Sequence, residues 1–271
     1  MEREVVLEGV GLHGGAPARA VLRATPGPFR LAQGRGAAAT RADLVVASTA
    51  RATTVESRDG SLRVGTVEHA LAALAGLGVQ EGLTLHVDGP ELPLLDGGAS
   101  AYCRALATLG LPAGRPPLRV ARAATYTVGP SRYGFVPGDA VDVTVEVDLD
   151  PRFAREARWQ GDPGDFVRRI APARTFARSI EVEELVRRGL ARHVDPESVV
   201  VLTPEGALSA GRPFAPDEPA RHKLLDLLGD LYLHGGPPLG RVTAERPGHA
   251  SSARALARAL AEGVLTADPA G

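Results

Sequence analysis

Hydrophobic and polar residues alternate with a period of two over much of the first 90 residues. Four short runs have the alternating, β-branched character of half-buried strands: EVVLEGV (4–10), ARAVLRA (18–24), DLVVAST (43–49) and GLTLHVDG (82–89). The clusters TPGP at 25–28 and RDG at 58–60 predict turns between these strands. The first third of the chain therefore reads as a sheet-forming region.

Two segments in this region change to the helical period. TVEHALAALAGLG at 66–78 predicts a helix with Thr66 as its N-cap and Gly76 or Gly78 near its end. A second helix is predicted over about 99–109, directly after a DGG turn. The Pro- and Gly-rich stretch PAGRPP at 112–117 then predicts a linker.

After this linker the same order of strands and helices starts again. Strands are predicted at 118–128, 141–148, 198–203 and 240–245, helices at about 180–189, 217–233 and 251–263, and a further segment near 165–170. We therefore expect an α+β protein of two similar domains, residues 1–117 and 118–271. No convincing residue-level repeat relates the two halves.

Composition narrows the class of protein. The 271 residues carry a net charge of −1 and only 4% aromatic residues, which argues against a nucleic-acid partner. One cysteine, Cys103, excludes an intrachain disulfide and a cysteine-based zinc site. The N-terminus lacks the apolar core of a signal peptide, and no apolar run approaches the ~18 residues of a spanning helix. We expect a soluble, cytoplasmic, monomeric protein.

The segment RHKLLDLLGD at 221–230 contains the one lysine of the chain, Lys223. On a helix, His222, Asp226 and Asp230 fall one turn apart on the same face. An imidazole and a carboxylate at this spacing can bind a single metal ion such as Zn²⁺. A solvated helix face with ordinary i,i+4 pairs has the same spacing, so this segment alone leaves both interpretations open.

The TVEH segment offers the complement to this pattern. His69 lies in the first turn of a predicted helix, and Glu68 precedes it, although a first-turn glutamate is also ordinary helix design. Together, His69, His222 and Asp226 supply three ligands, and Glu68 remains as an unassigned carboxylate. A catalytic zinc site has this composition: three protein ligands, an open position and a base. Because the ligands come from both halves, we expect the site between the two domains.

The other histidines are less informative. His249, in RPGHASS, follows a Pro-Gly turn just before the last predicted helix and fits either a general acid or a capping or surface role. His13 lies in the Gly-rich loop GVGLHGG at 9–15, which could approach a ligand or form a plain turn. No chemistry is assigned to His86, His193 or His234.

Six motifs occur in a familiar order: GVGLHGG (9–15), TVEHALAALAGLG (66–78), PELPLLDGGA (90–99), ARTF (173–176), RHKLLDLLGD (221–230) and GHA (248–250). On these motifs the chain resembles the UDP-3-O-acyl-N-acetylglucosamine deacetylases, zinc enzymes of the committed step of lipid A synthesis. The resemblance runs from about residue 8 to residue 260. It implies two α+β domains, each a sheet with helices packed between the two sheets, and an active site at their junction.

The resemblance also implies roles for single residues. The metal ligands would be His69, His222 and Asp226, with Zn²⁺ as the cofactor, although Fe²⁺ can occupy such sites. Catalytic roles would fall to Glu68 as the base, His249 as an acid or cationic stabiliser, Asp230 to orient it, Thr175 on the oxyanion and Lys223 near the reacting carbonyl. Contacts to a UDP-sugar glycolipid substrate would come from Phe176, Asp148, Arg246 and Lys223, and an insert at about 178–203 would receive the acyl chain.

Three departures from the family pattern concern the substrate. Leu149 follows Asp148 where the family has phenylalanine, and Val136 lies where it has lysine. GLARHVD at 189–195 replaces a glycine-rich GLALGGS and brings Arg192 and His193 into an apolar passage. A zinc deacetylase acting on another acylated or nucleotide-linked amino sugar is the alternative. A non-catalytic metal- or ligand-binding relative is the third hypothesis, and turnover separates it from the first two.

Overall fold

The computed structural model describes residues 3–187 and 193–268, and Arg192 and most of the GLARHVD departure lie outside them. The strands are β1 (Glu4–Val10), β2 (Pro17–Pro28), β3 (Arg30–Gln33), β4 (Ala39–Thr40), β5 (Leu44–Ser48), β6 (Thr54–Ser57), β7 (Arg63–Val64), β8 (Glu81–Asp88), β9 (Leu118–Val120), β10 (Ala124–Val128), β11 (Ser131–Val136), β12 (Val141–Glu146), β13 (Glu156–Trp159), β14 (Thr175–Arg178), β15 (Val199–Thr203), β16 (Gly206–Leu208), β17 (Gly240–Glu245) and β18 (Leu265–Ala267).

Six helices accompany these strands in the described residues. They are α1 (Glu68–Leu77), α2 (Ser100–Leu109), α3 (Pro163–Asp165, continued by a π-helical turn at Phe166–Ile170), α4 (Ser179–Arg187), α5 (Glu218–Tyr232) and α6 (His249–Ala261). Short 3₁₀ turns lie at Arg41–Asp43 and Pro196–Ser198. None of the helices in the described part of the chain combines the length and apolar content that a bilayer-spanning segment requires.

The strands form two five-stranded sheets and three smaller ones. The large sheets have the orders β1-β2-β8-β3-β4 and β10-β11-β17-β12-β13. Read in these orders, both have the same succession of pairings: antiparallel, antiparallel, parallel, antiparallel. The mixed α+β class is therefore confirmed. The two large sheets share a pairing pattern although no sequence repeat was detected.

Helices α1 and α5 pack against each other inside a single apolar core that also takes side chains from both large sheets. The leucines of α5, at 224, 225, 227, 228 and 231, are at most 1% exposed. The two helices approach closely at Gly229, where an added Cβ would overlap the carbonyl oxygen of Glu68. A side chain at this position would separate the helices, so glycine sets their spacing where the polar residues lie.

Several sequence-based expectations need correction. Helix α1 begins at Glu68 with Val67 as N-cap, because the hydroxyl of Thr66 donates to Glu91 and Thr66 itself has a left-handed φ of 56°. The predicted turn at 25–28 is the irregular end of β2, and the strand predicted at 118–128 is two strands, β9 and β10. His249 opens α6 instead of preceding it in a loop. Nine strands of the described residues were not predicted: β3, β4, β6, β7, β11, β13, β14, β16 and β18.

Candidate metal centre and active site

His69, His222 and Asp226 lie together in the buried interior. Their potential ligand atoms are all within 4.8 Å of one another. The Oδ1 atom of Asp226 is 3.3 Å from Nε2 of His222 and 3.9 Å from Nε2 of His69. Helix α1 supplies the first histidine, and α5 supplies the other two residues one turn apart, as the i,i+4 spacing predicts.

The protonation states of this group fit a metal ion. Burial, reinforced by the neighbouring His222 imidazole, lowers the pKa of His69 to about 3, and burial also lowers the pKa of His222. The Nδ1–H of His222 donates to the carbonyl of Ala173 at 3.0 Å, which leaves the Nε2 lone pair toward Asp226. Both imidazoles are therefore neutral, as metal ligation requires.

The surroundings of Asp226 give an independent sign that this group fits a cation. Burial opposes its ionisation, but the neighbouring His222 imidazole and the Lys223 ammonium hold its pKa well below the ordinary value. Its Oδ2 accepts from Nζ of Lys223 at 2.8 Å, whereas the buried Oδ1 has no hydrogen-bond partner among the described residues. A buried, unpaired carboxylate oxygen is costly. Two neutral imidazoles and this oxygen form a donor set for a divalent transition metal.

Glu68 lies beside the three donors as the first residue of α1 and is 3% exposed. Its Oε2 accepts from the backbone N–H of Thr53 at 3.0 Å, and its Oε1 is 3.9 Å from Nε2 of His249. Burial raises the pKa of Glu68 to about 7 against the opposing charge of His249. A carboxylate with a pKa near neutrality can both accept and return a proton.

His249 forms a pair with Asp230 on the other side of this space. Its Nδ1 lies 3.1 and 3.2 Å from the two carboxylate oxygens of Asp230. Burial disfavours the charged imidazole, but Asp230, Asp226 and Glu68 outweigh it and raise the pKa of His249 to about 10. The imidazolium directs its Nε2 toward Glu68 and Asp226, both 3.9 Å away. It can therefore offer positive charge and a proton.

An apolar cavity of about 800 Å³ lies beside this group. Thr175 and Phe176 belong to its wall, and the ring of Phe176 lies against that of His222 with centroids 6.1 Å apart. Nζ of Lys223 lies 5.6 Å from the centroid of the same ring. Much of the remaining wall is aliphatic, including Leu12, Val182, Val194, Val199, Val201 and Leu208. The cavity can receive an extended hydrocarbon group.

The other expected substrate contacts lie nearer the surface. Nη1 of Arg246 is 3.9 Å from Oδ2 of Asp148, and both side chains are at least half exposed. Leu149 packs against the apolar core, and Val136 is 47% exposed. His193 places its Nε2 3.1 Å from the carbonyl oxygen of Leu12, at the edge of the cavity.

The sequence analysis did not identify three buried residues that hold the site together. Thr53 lies in a segment with no distinctive spacing. Glu91 and Arg174 belong to the motifs PELPLLDGGA and ARTF, which gave a signal without a role for either residue. The guanidinium of Arg174 is 1% exposed and donates to Glu218 through Nε at 2.8 Å and Nη2 at 3.2 Å. Glu218 lies one turn before His222, so this ion pair supports the helix that carries two of the three candidate metal donors.

Glu91 fastens the Gly-rich loop to the turn before α1. Its carboxylate accepts from the backbone N–H of His13 and of Gly14 and from the hydroxyl of Thr66. Because these donors outweigh burial, the pKa of Glu91 is lowered to about 2. The carboxylate therefore links the cavity wall at His13 to the segment that enters α1.

Acidification is expected to destabilise the protein through Glu91. Its folded pKa of about 2 lies below the ordinary 4.5, so the folded state binds fewer protons than the unfolded chain. A stabilisation on the order of 3 kcal/mol is present above about pH 4.5 and is lost as the pH falls toward 2. Urea unfolding of wild type and Glu91→Gln between pH 6 and 3 measures this term. The exposed Glu8→Gln is the control, and equal pH slopes for wild type and Glu91→Gln would contradict the expectation.

Comparison with known proteins places these residues in a family. The profile of the UDP-3-O-acyl N-acetylglycosamine deacetylase family matches residues 1–262. The UDP-3-O-acyl-N-acetylglucosamine deacetylase of Myxococcus xanthus is 34% identical over 272 residues, covering 94% of this chain and 84% of its own. That of Pseudomonas entomophila is 31% identical, with 94% and 87% covered, and that of Thermosynechococcus vestitus is 35% identical, with 80% and 75% covered. The resemblance drawn from the motifs is confirmed.

Proposed function

Because the chain belongs to the UDP-3-O-acyl-N-acetylglucosamine deacetylase family, we propose that it hydrolyses the N-acetyl group of UDP-3-O-(3-hydroxyacyl)-N-acetylglucosamine and releases acetate, the committed step of lipid A synthesis. One observation supports this more than any other. The buried group of His69, His222 and Asp226 has Glu68 directly beside it, as a metal-dependent amide hydrolase requires.

We assign the metal as zinc, with His69, His222 and Asp226 as its ligands. Two imidazole nitrogens and one carboxylate oxygen are a catalytic zinc set that leaves one position open. Zinc bound there supplies a Lewis acid that lowers the pKa of a water toward ~7 and polarises a carbonyl group. The orphaned Oδ1 of Asp226 supports this assignment, because it lies within reach of both neutral imidazoles.

The surrounding side chains handle the protons and the developing charge. Glu68 takes the proton from the attacking water, because its pKa of about 7 matches that task near neutral pH. The hydroxyl of Thr175 donates to the oxygen on which negative charge develops. The leaving nitrogen receives its proton from His249 or from Glu68. Nε2 of His249 and Oε1 of Glu68 face the same space and are 3.9 Å apart. Asp230 holds His249 in its charged form.

We propose two similar domains, residues 1–117 and 118–271, with the site at their junction. The identical pairing order of the two five-stranded sheets supports this division. Helix α1 from the first half carries Glu68 and His69, and helix α5 from the second half carries the other metal ligands. The monomeric state and cytoplasmic location remain predictions.

The aliphatic cavity supports an acylated substrate. The aliphatic cavity, with the insert at about 178–203 contributing α4 and β15, would take the acyl chain. Phe176 and Lys223 would contact the sugar, and Asp148 and Arg246 the nucleotide. His193 at the cavity edge and the aliphatic Leu149 favour a second candidate, a deacetylase for another acylated amino sugar.

Acetate release tests the proposal. The zinc-loaded protein and the same protein after chelation are given UDP-3-O-(3-hydroxyacyl)-N-acetylglucosamines of several chain lengths and related N-acetylated sugars. We expect turnover of the UDP-linked substrates that stops on chelation and returns with zinc. Turnover confined to another acylated sugar would select the second candidate. A protein that binds one zinc and releases no acetate from any substrate would be a non-catalytic relative.

Replacing Lys223 with arginine is expected to lower kcat/KM at least tenfold. The compact ammonium donates to Asp226 at 2.8 Å and lies over Phe176, and a planar guanidinium cannot occupy the same space with the same geometry. Acetate release at matched zinc content measures the effect, with the exposed Arg122→Lys as the reverse control. A variant within twofold of wild type would refute this role for the lysine.

A further inference from the structure

We propose that Thr53 is a positioning residue of the deacetylase: its main chain orients Glu68, and its hydroxyl orients the Asp230–His249 pair. The inference rests on the proposed function, because it assigns roles to those three side chains. Thr53 lies directly before β6, is 1% exposed and contacts groups from three helices. It carries no chemistry of its own.

The main chain of Thr53 fixes the beginning of α1. Its N–H donates to Oε2 of Glu68 at 3.0 Å, and its carbonyl accepts from the N–H of Val67 at 3.2 Å. One carboxylate oxygen of Glu68 is thereby held by the backbone. The other, Oε1, is the oxygen that faces Nε2 of His249. The rotation of the proposed base is therefore set by residue 53.

The hydroxyl of Thr53 contacts both members of the Asp230–His249 pair. Its Oγ1 is 2.7 Å from Oδ1 of Asp230, and because a carboxylate can only accept, the hydroxyl hydrogen points there. A lone pair of Oγ1 is then free to face Nδ1 of His249 at 3.1 Å. The Nδ1–H is held between Oγ1 and the carboxylate of Asp230. This arrangement leaves Nε2 as the nitrogen directed at Glu68.

Through these three contacts Thr53 touches both proposed proton carriers, Glu68 and His249, and also Asp230. Its hydroxyl makes the shortest bond to Asp230 in this group. Valine has nearly the same shape as threonine, so Thr53→Val removes this hydroxyl and keeps both backbone bonds. Serine retains the hydroxyl. The hydroxyl can therefore be tested apart from the fold.

Thr53→Val, Thr53→Ser and the control Thr54→Val are compared with wild type in the acetate-release assay. Thr54 is the next residue, and its hydroxyl lies near Gly65 instead of this group. We expect Thr53→Val to lower kcat about 10- to 100-fold, with KM within about twofold and zinc content unchanged, since a buried polar group loses its partner. Thr53→Ser should retain most of kcat, and Thr54→Val should match wild type.

A second measurement does not depend on turnover. In ¹⁵N-histidine spectra of the zinc-loaded protein, the Nδ1–H signal of His249 should be sharp in wild type and Thr53→Ser. It should broaden through solvent exchange in Thr53→Val. A sharp, unshifted signal in Thr53→Val would overturn the inference, even if wild type released no acetate and the proposed function had failed. With an active wild type, equal kcat in Thr53→Val, or equal loss in Thr53→Val and Thr53→Ser, would overturn it too.

Discussion

Glu68→Gln is expected to lower acetate release by about 10²- to 10⁴-fold while zinc stays bound. The amide has the size of the carboxylate, and its oxygen can still accept from the N–H of Thr53. It cannot take a proton from water. Because Glu68 is not one of the three grouped donors, the metal affinity should change little. Measuring kcat/KM at equal zinc content, determined by native mass spectrometry, isolates the proton-transfer role.

A matched control separates this role from general effects of removing a charge. Glu81, an exposed residue at the beginning of β8, undergoes the same substitution without touching the site, and Glu81→Gln should behave as wild type. If Glu68→Gln retained more than a third of wild-type turnover, Glu68 would not be the base. If it lost the zinc, the carboxylate would belong to the metal centre instead.

Arg174→Met is expected to cost about 3–5 kcal/mol of unfolding free energy. The substitution leaves Glu218 nearly fully buried with no counter-charge, since Arg174 supplies three of its hydrogen bonds; only the backbone one survives. The guanidinium also donates to the carbonyls of Glu197 and Ala210, which lose their partner as well. Guanidinium chloride unfolding of the zinc-loaded protein measures the loss. The midpoint should fall sharply with little change in slope.

Arg158 provides the comparison for this effect. It pairs with Asp142 through bonds of 2.7 and 2.9 Å, the same fork geometry, but its side chain is 46% exposed. Arg158→Met should therefore cost under about 1 kcal/mol. Adding Glu218→Leu to Arg174→Met should restore part of the stability, because it removes the unpaired buried charge. Equal costs at both arginines would show that burial does not control the strength of these pairs.

The sequence was informative wherever a single element carries the pattern. The i,i+4 spacing of His222 and Asp226 follows from the helical period, and both lie as expected on one face of α5. Adding His69 to them required the assumption that α1 meets α5, because three ligands and a nearby base are what a catalytic zinc site needs. The two helices do meet, through their close approach at Gly229. The grouping of the three candidate metal donors was therefore within reach of sequence reasoning.

The residues that hold the site together could not be identified from the sequence, for a physical reason. Thr53 meets Asp230 and His249 across 177 and 196 positions of sequence, and no local spacing encodes such contacts. Thr66 was expected to cap α1 because threonine favours that position, but a bond to Glu91, 25 residues away, takes its hydroxyl instead. Tertiary hydrogen bonds overrode local propensity in both cases.

The order of strands in the second sheet has a consequence for synthesis on the ribosome. Strand β17 lies between β11 and β12, about 100 residues after both have been made. The first sheet needs only residues up to the end of β8, so it can pair while the rest is still being translated. Pairings between distant segments form slowly. The second sheet therefore cannot be completed until β17 has been translated. Until then the edges of β11 and β12 are unpaired, and such exposed edges make a nascent chain a client of chaperones.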